Sequence, residues 1–152
     1  MSRALIVGGR GQDGRLLLEH LAAAGVETAV LGRGEWDPRN AEDARRILAG
    51  RYTQVYYLAA YHHSSQETAA PVGESELCAR SYEVHVQGAV HFLEAIRTGF
   101  PATRFFYAAS SLVFGGPQTP MQDESTPFSP QCVYGISKAA GVQMCRYFRQ
   151  KH

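Results

Sequence analysis

A glycine-rich segment at residues 8–14, Gly-Gly-Arg-Gly-Gln-Asp-Gly, constrains the fold more than any other feature. The apolar run just before it, at residues 4–7, is typical of a buried parallel strand. Residues 13–24, just after it, carry leucines at helical spacing, and Gly25 stands where a glycine often ends a helix. The sequence therefore predicts a strand, a tight glycine turn and a helix in direct succession.

The three spaced glycines of this segment have separate physical roles in such a unit. Gly8 permits the tight turn, Gly11 lets the backbone approach a phosphate, and Gly14 lets the helix pack close to the strand. The free N–H groups and the positive dipole end of the helix then favour an anion. We expect a dinucleotide to bind here, with Gln12 and Asp13 also in contact; a glycine turn without a ligand is the alternative.

Strand and helix patterns continue to alternate along the 152 residues. Strands are predicted at residues 4–7, 28–31, 54–58 and 104–109, and helices at 13–24, 41–49, 76–98 and 133–149. Residues 61–75 and 115–130 are predicted loops, and a short extra strand is possible near residues 35–36. This order predicts one α/β domain of the Rossmann type, a doubly wound parallel sheet, with fewer than the six or so strands of a full dinucleotide fold.

Charge and cysteine content exclude several classes of protein. The net charge is +1 with acids and bases interspersed, so no nucleic-acid or membrane-surface partner is expected. We expect no signal peptide and no membrane span, since no apolar stretch approaches ~18–20 residues. Three cysteines without a Cys-x-x-Cys spacing predict neither disulfides nor zinc, and the spacing of the histidines predicts no other metal. Free thiols suit a cytoplasmic protein.

The end of the second predicted strand bears on the choice of cofactor. An acid there binds the ribose 2′-hydroxyl of NAD, whereas an arginine accommodates the 2′-phosphate of NADP. Residues 28–31 are followed by Gly32 and Arg33, with no acid before Glu35, so Arg33 favours NADP and leaves NAD as the alternative. Asp37 either reaches the adenine side or serves as a helix-capping or turn residue.

Three polar side chains predict hydride-transfer chemistry. Tyr134 and Lys138 are four residues apart and therefore lie on one face of a helix. The ammonium is expected to lower the pKa of the phenol, so that Tyr134 acts as general acid or base, while Lys138 holds the nicotinamide ribose. Ser110 follows Ala109 at the end of the fourth strand and is expected to bind the substrate oxygen, with Ala109 beside the cofactor.

These motifs together resemble the extended short-chain dehydrogenases/reductases, which include NAD(P)-dependent epimerases and dehydratases of nucleotide sugars. The resemblance is carried by residues 8–14, Leu58-Ala59-Ala60, residues 84–88, residues 110–115, and residues 129–138. Residues 11–14 are similar to the GDP-mannose 4,6-dehydratase branch. The resemblance implies that Leu58, Ala59 and Ala60 line the cofactor and that the substrate is a nucleotide sugar. It also implies that His62 or His63 contacts the sugar, with exposed loop histidines as the alternative. Finally, it implies that long helices pair in a homodimer.

Three departures from the family pattern modify this expectation. Leu112 stands where the dehydratases carry a catalytic glutamate, so a reductase or epimerase fits better than a dehydratase. His85 replaces the usual asparagine, and the chain ends at His152, where relatives continue into a substrate domain. The chain therefore looks like a truncated member, a separately encoded half that another chain complements, or a fragment. A non-catalytic dinucleotide-binding or dimerisation module is the alternative to an oxidoreductase.

Overall fold

The computed structural model describes residues 2–61, 73–116 and 120–152. In chain order, the elements are β1 Arg3–Val7, α1 Gln12–Ala23, β2 Glu27–Leu31, α2 Ala41–Leu48, β3 Gln54–Tyr57, α3 Glu74–Tyr82, α4 Gly88–Gly99, β4 Arg104–Tyr107 and α5 Val133–Lys151. Each predicted strand and helix is thereby confirmed, with its ends shifted by at most two residues.

The four strands form one parallel sheet in the order β2-β1-β3-β4. Side chains alternate between its two faces. On one face Ile6 packs with Leu21 of α1. On the other Leu5 packs with Leu48 of α2 and Phe92 of α4. Helices therefore cover both faces, and the predicted doubly wound α/β class is confirmed.

The chain leaves β1 in one direction along the sheet and later returns to pair β3 on the other side of β1. In open α/β sheets, ligands bind in the crevice at the carboxyl ends of the strands where the strand order reverses. The segments that follow β1 and β3 are residues 8–11 and 58–61. Both carry predicted cofactor-binding residues, so the topology brings two distant segments to one crevice.

The helix predicted at residues 76–98 widens in its middle into a π-helical turn at Glu83–Gln87. A π turn withdraws carbonyl groups from the regular helical hydrogen-bond ladder. Here the Tyr57 hydroxyl of β3 donates to the carbonyl of Val84 at 2.5 Å, and that of Tyr107 of β4 donates to the carbonyl of His85 at 2.9 Å. Two strands thus supply the donors that stabilise the turn.

The short extra strand considered near residues 35–36 is wrong, because these residues form bends in the connection between β2 and α2. Trp36 instead packs edge-on against Tyr57 and Phe92, with ring centroids 6.0 and 5.6 Å apart. Its burial of aromatic surface, rather than strand pairing, holds this connection against the core.

Two predicted loops lie partly outside the described residues. Residues 62–72, with His62 and His63, and residues 117–119 fall in the undescribed part of the chain. Residues 74–75, predicted as loop, are helical because α3 begins at Glu74. In the parts that are described, no helix is long and apolar enough to cross a membrane, and no cluster of histidine, cysteine and carboxylate side chains could hold a metal ion.

Candidate cofactor and catalytic site

The glycine turn after β1 is held by the end of β2. The amides of Gly8 and Gly9 both donate to the carbonyl of Leu31, at 2.8 and 3.1 Å. Gly8 adopts a φ of +86°, which L side chains rarely adopt, and a Cβ there would lie 2.6 Å from the amide nitrogen of Ala59. The predicted need for glycine at this turn therefore has two causes, the backbone conformation and the close approach of the segment that follows β3.

The start of α1 is open to an anion. Gly11 is the N-cap residue, and no side chain within the described residues caps this helix. Uncapped first-turn N–H groups and the helix dipole favour a negatively charged ligand. A Cβ at Gly14 would lie 2.4 Å from the Cα of Gly9, so Gly14 allows the close packing of helix on turn that the sequence predicted. Gln12 and Asp13 are exposed beside it.

A groove of about 440 Å³ lies at the carboxyl ends of β1, β2 and β3. Its lining includes the predicted cofactor-binding residues Gly8, Gly11, Arg33, Leu58, Ala59 and Ala60. It also includes Arg10, Trp36, Pro38 and Tyr61, which the sequence did not single out. Arg10 lies within the glycine segment but was given no role there, and the other three belong to no motif. The only signal for all four was their position three to seven residues beyond a strand end.

Asp37 is a turn residue in this structure. Its carboxylate accepts from the Arg39 amide at 2.9 Å and forms an ion pair with the Arg39 guanidinium at 2.9 Å, and this partner lowers the pKa of Asp37. Of the two roles considered for Asp37, the turn role is the one with observed contacts. The neighbouring Trp36 and Pro38, rather than Asp37, line the groove.

Ser110 lies where β4 gives way to a single 3₁₀ turn at Ser111–Val113. Its Oγ accepts from the amide of Leu112 at 3.2 Å, which fixes the side chain at the start of that turn. Leu112 is 45% exposed, and its carbonyl packs against Gly135 at the start of α5. The strand end with Ser110 and the helix with Tyr134 are therefore in direct contact through this turn.

Lys138 is buried, with 1% of its surface exposed. Its ammonium donates to the carbonyl of Ala108 at 2.8 Å, at the end of β4, and lies 5.0 Å from the ring centroid of Tyr107. Burial lowers the pKa of Lys138 to about 8, because removal from water disfavours the charged form. Lys138 thus anchors α5 to the carboxyl edge of the sheet, close to Ser110.

Tyr134 is half-buried, and its pKa is raised rather than lowered. Burial is the main cause, and the negative charge of Asp13 at the start of α1 adds to it. The expectation that Lys138 lowers this pKa is wrong for this structure, because the ammonium is turned toward Ala108 and lies 5.8 Å from the Tyr134 ring centroid. Tyr134 is therefore a protonated phenol at neutral pH.

His85 connects the groove to the helix of Tyr134 and Lys138. Its Nε2 accepts from the backbone amide of Tyr61 at 3.0 Å, and its Nδ1 pairs with the Ser137 hydroxyl at 2.8 Å. The imidazole is fully buried and meets the Tyr134 ring edge-on, with centroids 5.0 Å apart. These partners of His85 lie 24 and 52 residues away in the sequence, so they could not be predicted from it.

The burial of Lys138 predicts a distinctive pH dependence of stability. Between pH 8 and 10.5 the unfolded chain keeps the lysine proton that the folded chain has lost, so the free energy of unfolding rises with pH. Relative to Lys138→Met, we expect the wild type to gain up to roughly 3 kcal/mol over this interval. Urea unfolding at several pH values measures the difference.

The sequence has one other lysine, and the exposed Lys151 provides the matched control. For Lys151→Met, the free energy of unfolding should depend on pH as it does for the wild type. Burial raises the pKa of Cys145 to about 11, so this thiol makes the free energy of unfolding fall as pH rises. The wild type and both variants carry Cys145, so its effect cancels when their stabilities are compared. If the free energy of unfolding changes with pH in the same way for wild type and Lys138→Met, the pKa of Lys138 is not lowered in the folded protein.

Two proteins with named activities match nearly the whole chain. GDP-mannose 4,6 dehydratase 1 of Arabidopsis thaliana is 31% identical over 90% of this chain, which corresponds to 45% of that protein. The UDP-glucose 4-epimerase of Thermus thermophilus, solved with NAD, superposes with a TM-score of 0.77 and is 26% identical; 97% of this chain matches 51% of that one.

A second solved structure binds the other dinucleotide. The dTDP-4-dehydrorhamnose reductase of Bacillus anthracis in complex with NADP has a TM-score of 0.81 and 25% identity, with 97% of this chain matching 50% of that one. The chain thus spans about half the length of the relatives it matches. The profile of the NAD dependent epimerase/dehydratase family matches residues 4–152, and the chain therefore belongs to that family.

Proposed function

We propose that this chain is the cofactor-binding and catalytic part of an NADP-dependent oxidoreductase or epimerase that acts on a nucleotide sugar by hydride transfer. The observation that carries the proposal is the convergence at one edge of the sheet. The glycine turn and its groove lie at the ends of β1 and β3. Ser110 lies at the end of β4, and Lys138 is hydrogen-bonded to that same strand end. Asp13 of α1 and Tyr134 of α5 are close enough to interact electrostatically.

In this proposal a bound dinucleotide supplies or accepts the hydride at a sugar carbon. Tyr134, a protonated phenol at neutral pH, donates a proton to the substrate oxygen when the carbon is reduced and takes it back in the reverse direction. The Ser110 hydroxyl donates a hydrogen bond to the same oxygen. Lys138 keeps positive charge beside the reacting groups below pH 8 and binds the ribose hydroxyls of the nicotinamide half.

The proposed substrate class is supported by the family and by the names of the three relatives, each of which refers to a sugar linked to a nucleoside diphosphate. Leu112 supports reduction or epimerisation over dehydration. Removal of water across two sugar carbons needs a further base, and an exposed leucine beside Ser110 supplies none. Reduction and epimerisation need only hydride transfer together with the tyrosine and serine.

A second candidate is a non-catalytic module that binds dinucleotide or dimerises. The chain spans about half the length of its relatives. The family resemblance implies pairing of long helices, and pairing through α3, α4 and α5 would give a homodimer. Cofactor binding is common to the enzyme and to a dinucleotide-binding module, so turnover separates these two.

The cofactor preference is tested by calorimetric titration with NADPH and NADH. Arg33 lines the groove and forms no ion pair with any described residue, so its guanidinium is available to a 2′-phosphate. We expect Arg33→Ala to weaken NADPH binding by about 10- to 100-fold, the usual effect of losing a hydrogen bond between charged groups. NADH binding should stay within about twofold.

Arg104→Ala is the matched control, because Arg104 is an exposed arginine at the amino end of β4, on the opposite edge of the sheet. It should change neither affinity. If the wild type prefers NADH, or if Arg33→Ala weakens both dinucleotides equally, the assignment of NADP is wrong. Binding of neither dinucleotide by the wild type would contradict both the enzyme and the dinucleotide-binding module.

A further inference from the structure

The hydrogen bonds of His85 determine which of its ring nitrogens carries the proton. The backbone amide of Tyr61 donates to Nε2 at 3.0 Å, and because a backbone amide can only donate, Nε2 is the unprotonated nitrogen. In the neutral imidazole the proton therefore lies on Nδ1, which donates to the Ser137 hydroxyl oxygen at 2.8 Å. His85 and Ser137 are both fully buried, so water is not available to replace the bond between them.

Ser137 continues this line of hydrogen bonds to the backbone of Tyr134. Its Oγ lies 3.0 Å from the Tyr134 carbonyl oxygen and 2.9 Å from that of Val133, so it donates its hydrogen within the first turn of α5. The imidazole of His85 also meets the Tyr134 ring edge-on. Tyr61, at the other end of the line, belongs to the lining of the groove. A continuous line of hydrogen bonds therefore runs from the edge of the groove to the helical turn that carries Tyr134.

The π turn holds the backbone of His85 where its side chain can make both bonds. The His85 carbonyl accepts from the Tyr107 hydroxyl of β4 at 2.9 Å, which ties this backbone to the sheet. A Cβ at Gly141 would lie 2.6 Å from the same carbonyl oxygen, so a glycine on α5 lets that helix approach the π turn closely. This close approach allows an imidazole on one helix to reach a serine on the next.

We propose that His85, in its Nδ1–H tautomer, is a positioning residue that sets the place of the Tyr134 phenol relative to a dinucleotide in the groove. The hydrogen bond at Nε2 holds Tyr61 at the groove edge, and the hydrogen bond at Nδ1 holds the turn of α5 that carries Tyr134. Because one rigid ring makes both bonds, the width of the imidazole fixes the separation of the two segments. This inference rests on the proposed function, in which Tyr134 exchanges a proton with the substrate oxygen.

Asparagine and glutamine each keep one of these two hydrogen bonds. The amide nitrogen of asparagine is as many bonds from Cβ as Nδ1 of histidine is, so His85→Asn can donate to Ser137 but does not reach Tyr61. The amide oxygen of glutamine is as many bonds from Cβ as Nε2 is, so His85→Gln can accept from the amide of Tyr61 but does not donate to Ser137. The two variants therefore separate the two ends of the line.

The test measures NADPH oxidation with nucleotide-linked ketosugars and NADPH affinity by calorimetry, both on the full chain. For His85→Gln we expect turnover to fall about tenfold, the effect of one lost buried hydrogen bond, with NADPH affinity reduced by at most about twofold. For His85→Asn we expect NADPH affinity to fall by about three- to tenfold, with turnover reduced by at most about threefold. His20→Gln is the matched control, because His20 is exposed in the last turn of α1, and it should change neither value.

Nitrogen NMR of the histidine side chains tests the tautomer without turnover. Long-range proton–nitrogen spectra of the isotope-labelled chain near neutral pH distinguish protonated from unprotonated ring nitrogens, and the signals of His85 are those that His85→Gln removes. We expect a protonated Nδ1 and an unprotonated Nε2. A protonated Nε2 would overturn the proposal, because that nitrogen could not accept from the amide of Tyr61.

The kinetic outcomes separate positioning from general support of the fold. A loss mainly of turnover in His85→Gln and mainly of NADPH affinity in His85→Asn would support the proposal. Similar losses of both quantities in the two variants would mean that His85 only supports the fold, and the positioning role would be wrong. Wild-type protein that binds NADPH but oxidises it with none of the ketosugars would instead contradict the proposed function, while the tautomer would still decide whether the line of hydrogen bonds exists.

Discussion

Tyr134→Phe is expected to lower hydride transfer between NADPH and a nucleotide-linked ketosugar by about 10²–10⁴-fold, the usual contribution of a positioned general acid. The phenol of Tyr134 is protonated at neutral pH, since the ordinary tyrosine pKa of about 10 is well above 7 and burial and the charge of Asp13 raise it further. Phenylalanine removes that proton donor but keeps the ring that meets His85 edge-on. Lys138 keeps its hydrogen bond to Ala108. The loss should therefore appear in turnover, with NADPH affinity reduced by less than about tenfold.

The measurement follows NADPH oxidation with GDP-, UDP- and dTDP-linked ketosugars. Tyr82→Phe is the control, since Tyr82 on α3 is an exposed tyrosine outside the site, and its loss of a hydroxyl should change nothing. A Tyr134→Phe protein as active as the wild type would show that Tyr134 is not the proton donor. Wild-type protein that binds NADPH but turns over none of these sugars would favour the non-catalytic module for this chain.

The strands and helices could be predicted because their signals are local. The apolar run at residues 4–7 and the glycines that follow it determine a strand and a turn through backbone sterics and side-chain period alone. The parallel order then follows from the alternation of strand and helix, and it places Leu58 and Ala59 beside the glycine turn. For the same reason most of the predicted groove residues are found together.

What could not be predicted depends on contacts between distant segments. The π turn at Glu83–Gln87 is stabilised by hydrogen bonds from two tyrosine hydroxyls on separate strands. The apolar spacing of residues 76–98 predicts a regular helix and does not indicate this turn. Spacing on one helix face placed Lys138 near Tyr134, but the ammonium is turned toward Ala108, a partner 30 residues away. Local spacing therefore predicts which side chains share a region, whereas tertiary partners decide their pKa values.

Gly8→Ala is expected to destabilise the fold by about 2–5 kcal/mol, as the sum of two effects. A side chain at a φ of +86° is strained, and the added Cβ would lie 2.6 and 2.7 Å from the backbone N and Cα of Ala59. Because those are backbone atoms at the end of β3, relief requires the glycine turn and the β3 end to move apart. Both segments line the groove, so NADPH affinity should fall at least about tenfold as well.

Gly25 separates the two effects. It has a similar φ of +71°, but a Cβ there would meet no atom within 4 Å, so Gly25→Ala carries the backbone strain without the collision. We expect it to cost about 1–2 kcal/mol in urea unfolding and to leave NADPH binding unchanged. Equal destabilisation by the two substitutions would mean that the segments after β1 and β3 are not in close contact. A larger loss for Gly8→Ala, in both stability and binding, would show that this contact shapes the groove.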